Sequence, residues 1–167
     1  MLKKILVSLD GSTTSEAILP AVEKMVGPDT EITLITVAAP PQGVVPEVRP
    51  LYVAGVPAPG GVREMPPLKP VETKDQAFAY VTGEETDYLE AIARVLRGTG
   101  AKVTTHVAFG DAAEEIESHA REAGVDLIMM ATHGRTALSE VVFGSVAAHV
   151  LRSGVCPVLL VRPHDLA

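Results

Sequence analysis

The sequence predicts a Rossmann-like α/β fold: an open, mostly parallel five-stranded sheet with helices on both faces. Three observations predict it. Short apolar runs of strand length alternate with helix-periodic segments in the order β-α-β, insertion, α-β-α-β-α-β. One run, Val125–Ala131, is apolar at every position after Asp126, the pattern of a strand buried on both faces. The 167 residues suffice for one well-buried core and would be cramped as two, so a single domain over 1–167 is expected.

The first strand is Lys4–Leu9, broken by Asp10-Gly11-Ser12. Thr13 and Glu16 have the spacing of a capping box, predicting a helix to about Val26. Its apolar face is Ala17, Ile18, Ala21, Val22 and Met25, Pro20 should kink it, and Gly27-Pro28 ends it. Glu31–Val37 is rich in β-branched residues and reads as the second strand. Nine prolines then fall between Pro40 and Pro70 with no helical or strand period. This marks a Pro/Gly-rich insertion over about 40–83, either functional or disordered.

Regular pattern returns near Gly83. Glu84–Arg97 reads as a helix with Tyr88, Leu89, Ile92, Val95 and Leu96 inward, stopped by Gly98 and Gly100. Lys102–Ala108 alternates as a strand. Asp111 is placed to cap a helix that runs to Ala123, with Gly124 just past its end. After the strand Val125–Ala131 and a loop come a helix from about Gly144 to Arg152 and a last strand, Pro157–Val161. Ligands of such sheets bind beyond the carboxyl ends of the strands, where the strand order reverses. That rule puts Leu9–Ser12, Val37–Pro40 and Ala131–Gly134 on the functional rim.

Composition narrows the function classes. A net charge of −7 argues against nucleic-acid partners, which call for a basic face. No apolar stretch approaches the ~18 residues of a membrane span, and the apolar run after Lys3 and Lys4 is too short for a signal peptide. The single cysteine, Cys156, fits a reducing cytoplasm and reads as a structural thiol. His106, His119, His149 and His164 are scattered without metal-ligand spacing, so no metal site is indicated. There is no phosphate loop of the G-x4-G-K-[ST] type, and no catalytic residue can be named.

The chemistry concentrates between Ala131 and Ser145. Ala131-Thr132-His133-Gly134 follows the buried strand, and nine residues later Gly144-Ser145 opens a helix. Amides at a helix start are unpaired and the helix dipole favours negative charge there, while glycine admits a phosphate close to the backbone. In the bland reading Gly134 only turns the chain and Ser145 only caps the helix. His133 and Arg135 flank Gly134; Arg135 is a charged donor within reach of phosphate, or else a solvent-facing side chain.

The block A-T-H-G-R-T-A-L-S-E-V-V-F-G-S-V-A-A-H-V-L-R-S-G-V-C-P-V-L-L-V resembles the C-terminal signature of the universal stress protein family, in its ATP-binding branch. Those members carry G-x2-G-x9-G-[ST]; here Gly134, Gly144 and Ser145 keep the spacing and Ala131 replaces the first glycine. K-K-I-L-V-S-L-D-G-S and G-D-A-A-E-E-I also look like family segments, so the resemblance covers the chain apart from about 40–83. It implies an adenine-nucleotide α-hydrolase-like fold and an ATP ligand, a magnesium ion arriving with it. Ser8 and Asp10 then lie beside the adenosine and Val37 against adenine. Met130 and Ala131 lie near the ribose and first phosphate, and Gly134, Gly144, Ser145 and Val146 cradle the phosphates. Asp10 has the alternative reading of a helix cap, a role open also to Ser12 or Thr13. If position 131 needs positive φ, its alanine costs about 1 kcal/mol or more; if glycine serves only close approach, a methyl is tolerated.

Three functions follow from these readings. The first is a regulatory or stress-response protein that binds nucleotide with slow or no hydrolysis. The second is a dimeric interaction module without nucleotide, which Ala131 favours. The third is an enzyme with the insertion as a lid. A homodimer paired through Pro157–Val161, apolar and expected at the sheet edge, is implied by the same resemblance.

Overall fold

The computed structural model describes residues 2–41, 74–132 and 144–163. Their elements are β1 Lys4–Ser8, α1 Thr13–Glu16, α2 Leu19–Met25, β2 Glu31–Ala38, α3 Lys74–Arg97 and β3 Lys102–Phe109. They continue with α4 Ala112–Ala123, β4 Leu127–Ala131, α5 Ser145–Ser153 and β5 Val158–Val161. The sheet has the order β3-β2-β1-β4-β5, and every neighbouring pair is parallel. From β1 the chain proceeds outward to β2 and β3 on one side, then returns to lay β4 and β5 on the other. The order thus reverses between β1 and β4, where neighbouring connections diverge and leave a crevice.

Alternation along the central strands divides the interior in two. Val7, Leu34 and Met129 point to one face and meet Ile18, Val22, Leu89 and Leu96 from α2, α3 and the residue before α2. Leu6, Ile35 and Ile128 point to the other and meet Ile116 of α4 and Val150 of α5. Cys156 is half-buried beside this second core, and burial pushes its thiol pKa up. No helix among the described residues is long and apolar enough to cross a membrane.

Three local expectations are corrected. The first helix is capped by Ser12, not by a Thr13–Glu16 box: the Ser12 hydroxyl accepts from the Ser15 amide at 3.1 Å. The Asp10 carboxylate accepts from the Ser12 amide and hydroxyl, at 3.0 and 2.6 Å, and fixes Ser12 in that position. Pro20 does more than kink the helix. It has no amide to donate four residues back, so α1 stops at Glu16 and Pro20 falls in the first turn of α2, where none is required. Third, the helix expected from Glu84 begins at Lys74, so the first ten of its residues, 74–83, lie inside the range read as irregular insertion. Gly83 is an interior residue of that helix, whose early part is anchored by Phe78 edge-on to Phe109, ring centroids 4.9 Å apart. Two side chains expected inward are instead largely exposed, Met25 at 43% and Val95 at 63%.

The best-signalled helix is α4. Asp111 accepts from the Ala113 and Glu114 amides at 2.9 and 3.1 Å, and Gly124 closes the other end in the left-handed region at φ 62°. Asp111→Ala is expected to cost about 1 kcal/mol of stability through the lost cap, measurable by urea unfolding; an unchanged midpoint would count against this assignment.

Candidate functional site

At the reversal of strand order the carboxyl ends of β1, β2 and β4 open into a cleft of about 160 Å³. Ser8, Leu9 and Asp10 leave β1 along one side and Met130, Ala131 and Thr132 leave β4 along the other. Val37 comes from β2, Ser15 from α1, Ala112 and Ile116 from α4, and Gly144–Ala147 from the start of α5. The sheet ladder extends one residue into both rims: the Leu9 amide donates to Ile35 O and the Thr132 amide to Val161 O, each at 2.9 Å. Both rims are therefore held by backbone, not by loop packing alone.

Eight of the ten residues singled out from the sequence line this one cleft: Ser8, Asp10, Val37, Met130, Ala131, Gly144, Ser145 and Val146. Gly134 and Arg135, like His133, lie outside the described residues. Leu9, Ser15, Ala112, Ile116, Thr132 and Ala147 complete the lining; Leu9 and Thr132 fall on the rim expected from the sequence, and the other four were not foreseen. Ala112 and Ile116 had a signal, because the Asp111 cap fixes where α4 begins. Ser15 had none: its buried hydroxyl accepts from the Asp10 amide at 3.2 Å and donates to Ser12 O at 2.8 Å, a closure visible only once the turn is folded.

The start of α5 is the main source of donors. Gly144 is its N-cap, at φ −52° and ψ 157°, and no described side chain caps the helix. The Ala148 amide makes the first bond of the helix, to Gly144 O at 2.9 Å. The amides of Ser145, Val146 and Ala147 precede that bond, at the positive end of the dipole and on the cleft. Gly144 adopts a backbone any residue can reach, and a Cβ there would meet no described atom within 4 Å. Neither φ nor packing among the described residues explains the glycine. What its missing side chain leaves is open space at the donors.

Ala131 is the last residue of β4, in register with Val161 of β5. It is thus extended, and the position does not require positive φ. Its methyl shares the face of Leu127 and Met129 and packs against the first core, while Met130 points to the second. The methyl is directed away from the sheet face that carries Ser8, Val37, Met130 and α4. The alanine therefore has no conformational cost and little steric one at the cleft.

Among the described lining residues Asp10 is the one charged side chain. Beyond it, Tyr88 of α3 donates to Glu16 at 3.2 Å. Burial first, and then the Glu16 carboxylate, push its phenol up to about 12, so it stays a neutral donor. No group of three or more metal-ligating side chains is found among the described residues.

The model of the universal stress protein family matches residues 1–162. Universal stress protein MJ0531 of Methanocaldococcus jannaschii is 32% identical over 161 residues, 96% of this chain and 82% of that one. Universal stress protein MJ0577 of the same organism is 38% identical over 82 residues, so this chain matches about half of that relative's length (51%) in sequence. The solved structure of MJ0577 superposes with a TM-score of 0.68 at 28% identity, covering 99% of both chains. A more distant structure, a universal stress protein family protein of Arabidopsis thaliana with AMP bound, shares the fold at 16% identity. Its TM-score is 0.62, over 98% of this chain and 93% of that one. A universal stress protein in complex with cAMP does so at 15% identity and TM-score 0.60, over 96% and 97%. With a family match over almost the whole length and a relative this similar over 161 residues, the chain belongs to the universal stress protein family.

Proposed function

We propose that this cleft binds an adenine nucleotide, ATP foremost, and that the protein is a cytoplasmic regulatory or stress-response protein with slow or no ATP hydrolysis. The single observation that carries the reading is the start of α5, which no described side chain caps and which presents its first amides into the cleft at a residue without a side chain. The nucleotide base and ribose are assigned to Ser8, Asp10, Val37, Met130 and Ala131. The phosphates are assigned to Gly144, Ser145 and Val146, with Gly134 and Arg135. Asp10 is the only charge among the described lining residues, and positive charge at the phosphates is assigned to Arg135 or to a magnesium ion bound with the nucleotide. The AMP and cAMP bound by two relatives of the same fold agree with this ligand class.

Calorimetric titration with ATP and magnesium is expected to show one saturable site per chain, and no heat at millimolar ATP would overturn the proposal. The alternative, an interaction module without nucleotide, rests on Ala131. Ala131→Gly separates the two. If the cleft binds nucleotide, the variant stays within about threefold of the parent affinity, because the methyl faces the core and threefold is under ~1 kcal/mol. Under the alternative only the variant binds.

A homodimer through the last strand belongs to the same proposal. Among the described residues β5 is an edge strand paired with β4, and its four apolar residues are each only partly buried. Sedimentation at micromolar concentration is expected to give twice the 17.5 kDa of one chain. A species of one chain's mass would overturn the assignment.

A further inference from the structure

Two imidazoles that the cleft does not use face each other at the edge of the sheet. His106 stands on β3, an outermost strand, and His119 on α4; their ring centroids are 4.6 Å apart and the planes are tilted by 33°. His106 is exposed and His119 half-buried. Ala112 and Ile116, seven and three residues before His119 and so on the same stripe of α4, form a wall of the cleft. Any movement of this stripe against β3 therefore moves a cleft wall.

Few charges surround the pair among the described residues. From β3 the facing titratable group is His106 itself, with Lys102 four residues back at the strand start, paired to Glu31 at 3.4 Å. β2 presents Glu31 to this face at its start, paired with Lys102, and then Thr33, Ile35 and Val37, none of these three titratable. On α4 the neighbours are Glu115, which leans on Gly110, and Glu122, whose carboxylate favours the charged form of His119. α5 contributes His149, 3.5 Å from Glu117 on another side of α4.

We propose that His106 and His119 form a proton-responsive latch between α4 and β3, closed while at least one ring is neutral and loosened when both are protonated. A neutral ring packs against its partner, and Glu122 can offset one positive charge. Two stacked imidazolium rings repel with no second carboxylate placed between them. Burial first, and then His106, hold the His119 imidazole below its ordinary range, against the opposing pull of Glu122. The folded state therefore takes up this proton at lower pH than the unfolded chain does. The stability tied to it is complete above the unfolded pKa of about 6.5 and is lost as pH falls through the lower folded value. Loosening of the cleft wall rests on the nucleotide reading above; the latch itself does not.

The test compares the parent protein with His106→Gln, an exposed position where the amide keeps size and polarity but cannot charge. Urea midpoints, exchange of α4 amides and ATP titrations are measured at about pH 7.5 and 5.5, which span the imidazole range. The two proteins should match at the higher pH. At the lower, the parent should lose more of its midpoint, exchange α4 amides faster, and weaken for ATP by about threefold more than the variant, a coupling of ordinary size. His119→Gln should behave as His106→Gln does. Equal losses in parent and variants overturn the latch. If the midpoints separate while the ATP affinities fall in parallel, the coupling to the cleft is overturned. If ATP binds at neither pH, the nucleotide reading alone fails, and the midpoints and exchange still decide the latch.

Discussion

Gly144→Val is expected to lower ATP affinity at least about tenfold, or ~1.4 kcal/mol, while the fold survives. The loss comes from the branched side chain, which would occupy the space in front of the Ser145 and Val146 amides that the glycine leaves open. The fold survives because φ −52° and ψ 157° suit any residue and the new Cβ would meet no described atom within 4 Å. Exchanging glycine for a residue that caps poorly costs on the order of 1 kcal/mol or less. With a slope of about 2 kcal/mol per molar urea, the midpoint should then move by no more than ~0.5 M. Calorimetry and urea unfolding on the same preparation check both halves. An unchanged affinity would show that the phosphates do not sit at the start of α5, and the site would need to be sought elsewhere on the rim.

Leu34→Ala should do the reverse. Leu34 is fully buried in β2, opposite Val7 in register, and belongs to the core on the α2 and α3 face of the sheet. Truncating a leucine there costs about 2–5 kcal/mol, from lost transfer energy and from the cavity that close-packed neighbours cannot fill. Against a total of ~5–15 kcal/mol for a domain, that is a large drop in the urea midpoint. Leu34 is not among the residues that line the cleft at the carboxyl ends of the strands, so the fraction that remains folded should bind ATP with nearly the parent affinity. A loss under ~1 kcal/mol would mean that the core relaxes around the cavity. Together the two variants separate stability from binding.

Much of the fold was legible because local and long-range signals agreed. The Asp111 cap and Gly124 terminator frame α4 to the residue, since both act within one turn of the helix they bound. The helix at Lys74 was hidden because its first ten residues lie beside a proline-rich stretch and contain Gly83, whose helix-breaking tendency is a local quantity. Contact between Phe78 and Phe109, distant in sequence, weighs against that tendency and cannot be read from either neighbourhood alone. Val95 shows the converse: helical spacing placed it inward, yet Leu89, Ala93 and Leu96 fill the interface and leave it exposed.

The sequence by itself determined the alternation of strands and helices, the rim where a ligand would bind, and the residue types that meet there. Those follow from periodicity, from caps and from the unpaired amides of a helix start, all properties of short stretches of chain. Only the tertiary structure decided what Ala131 means. Its methyl turns toward the core because Ala131 pairs with Val161 of β5, and pairing between distant strands sets which way every side chain points. The same long-range geometry set His106 against His119.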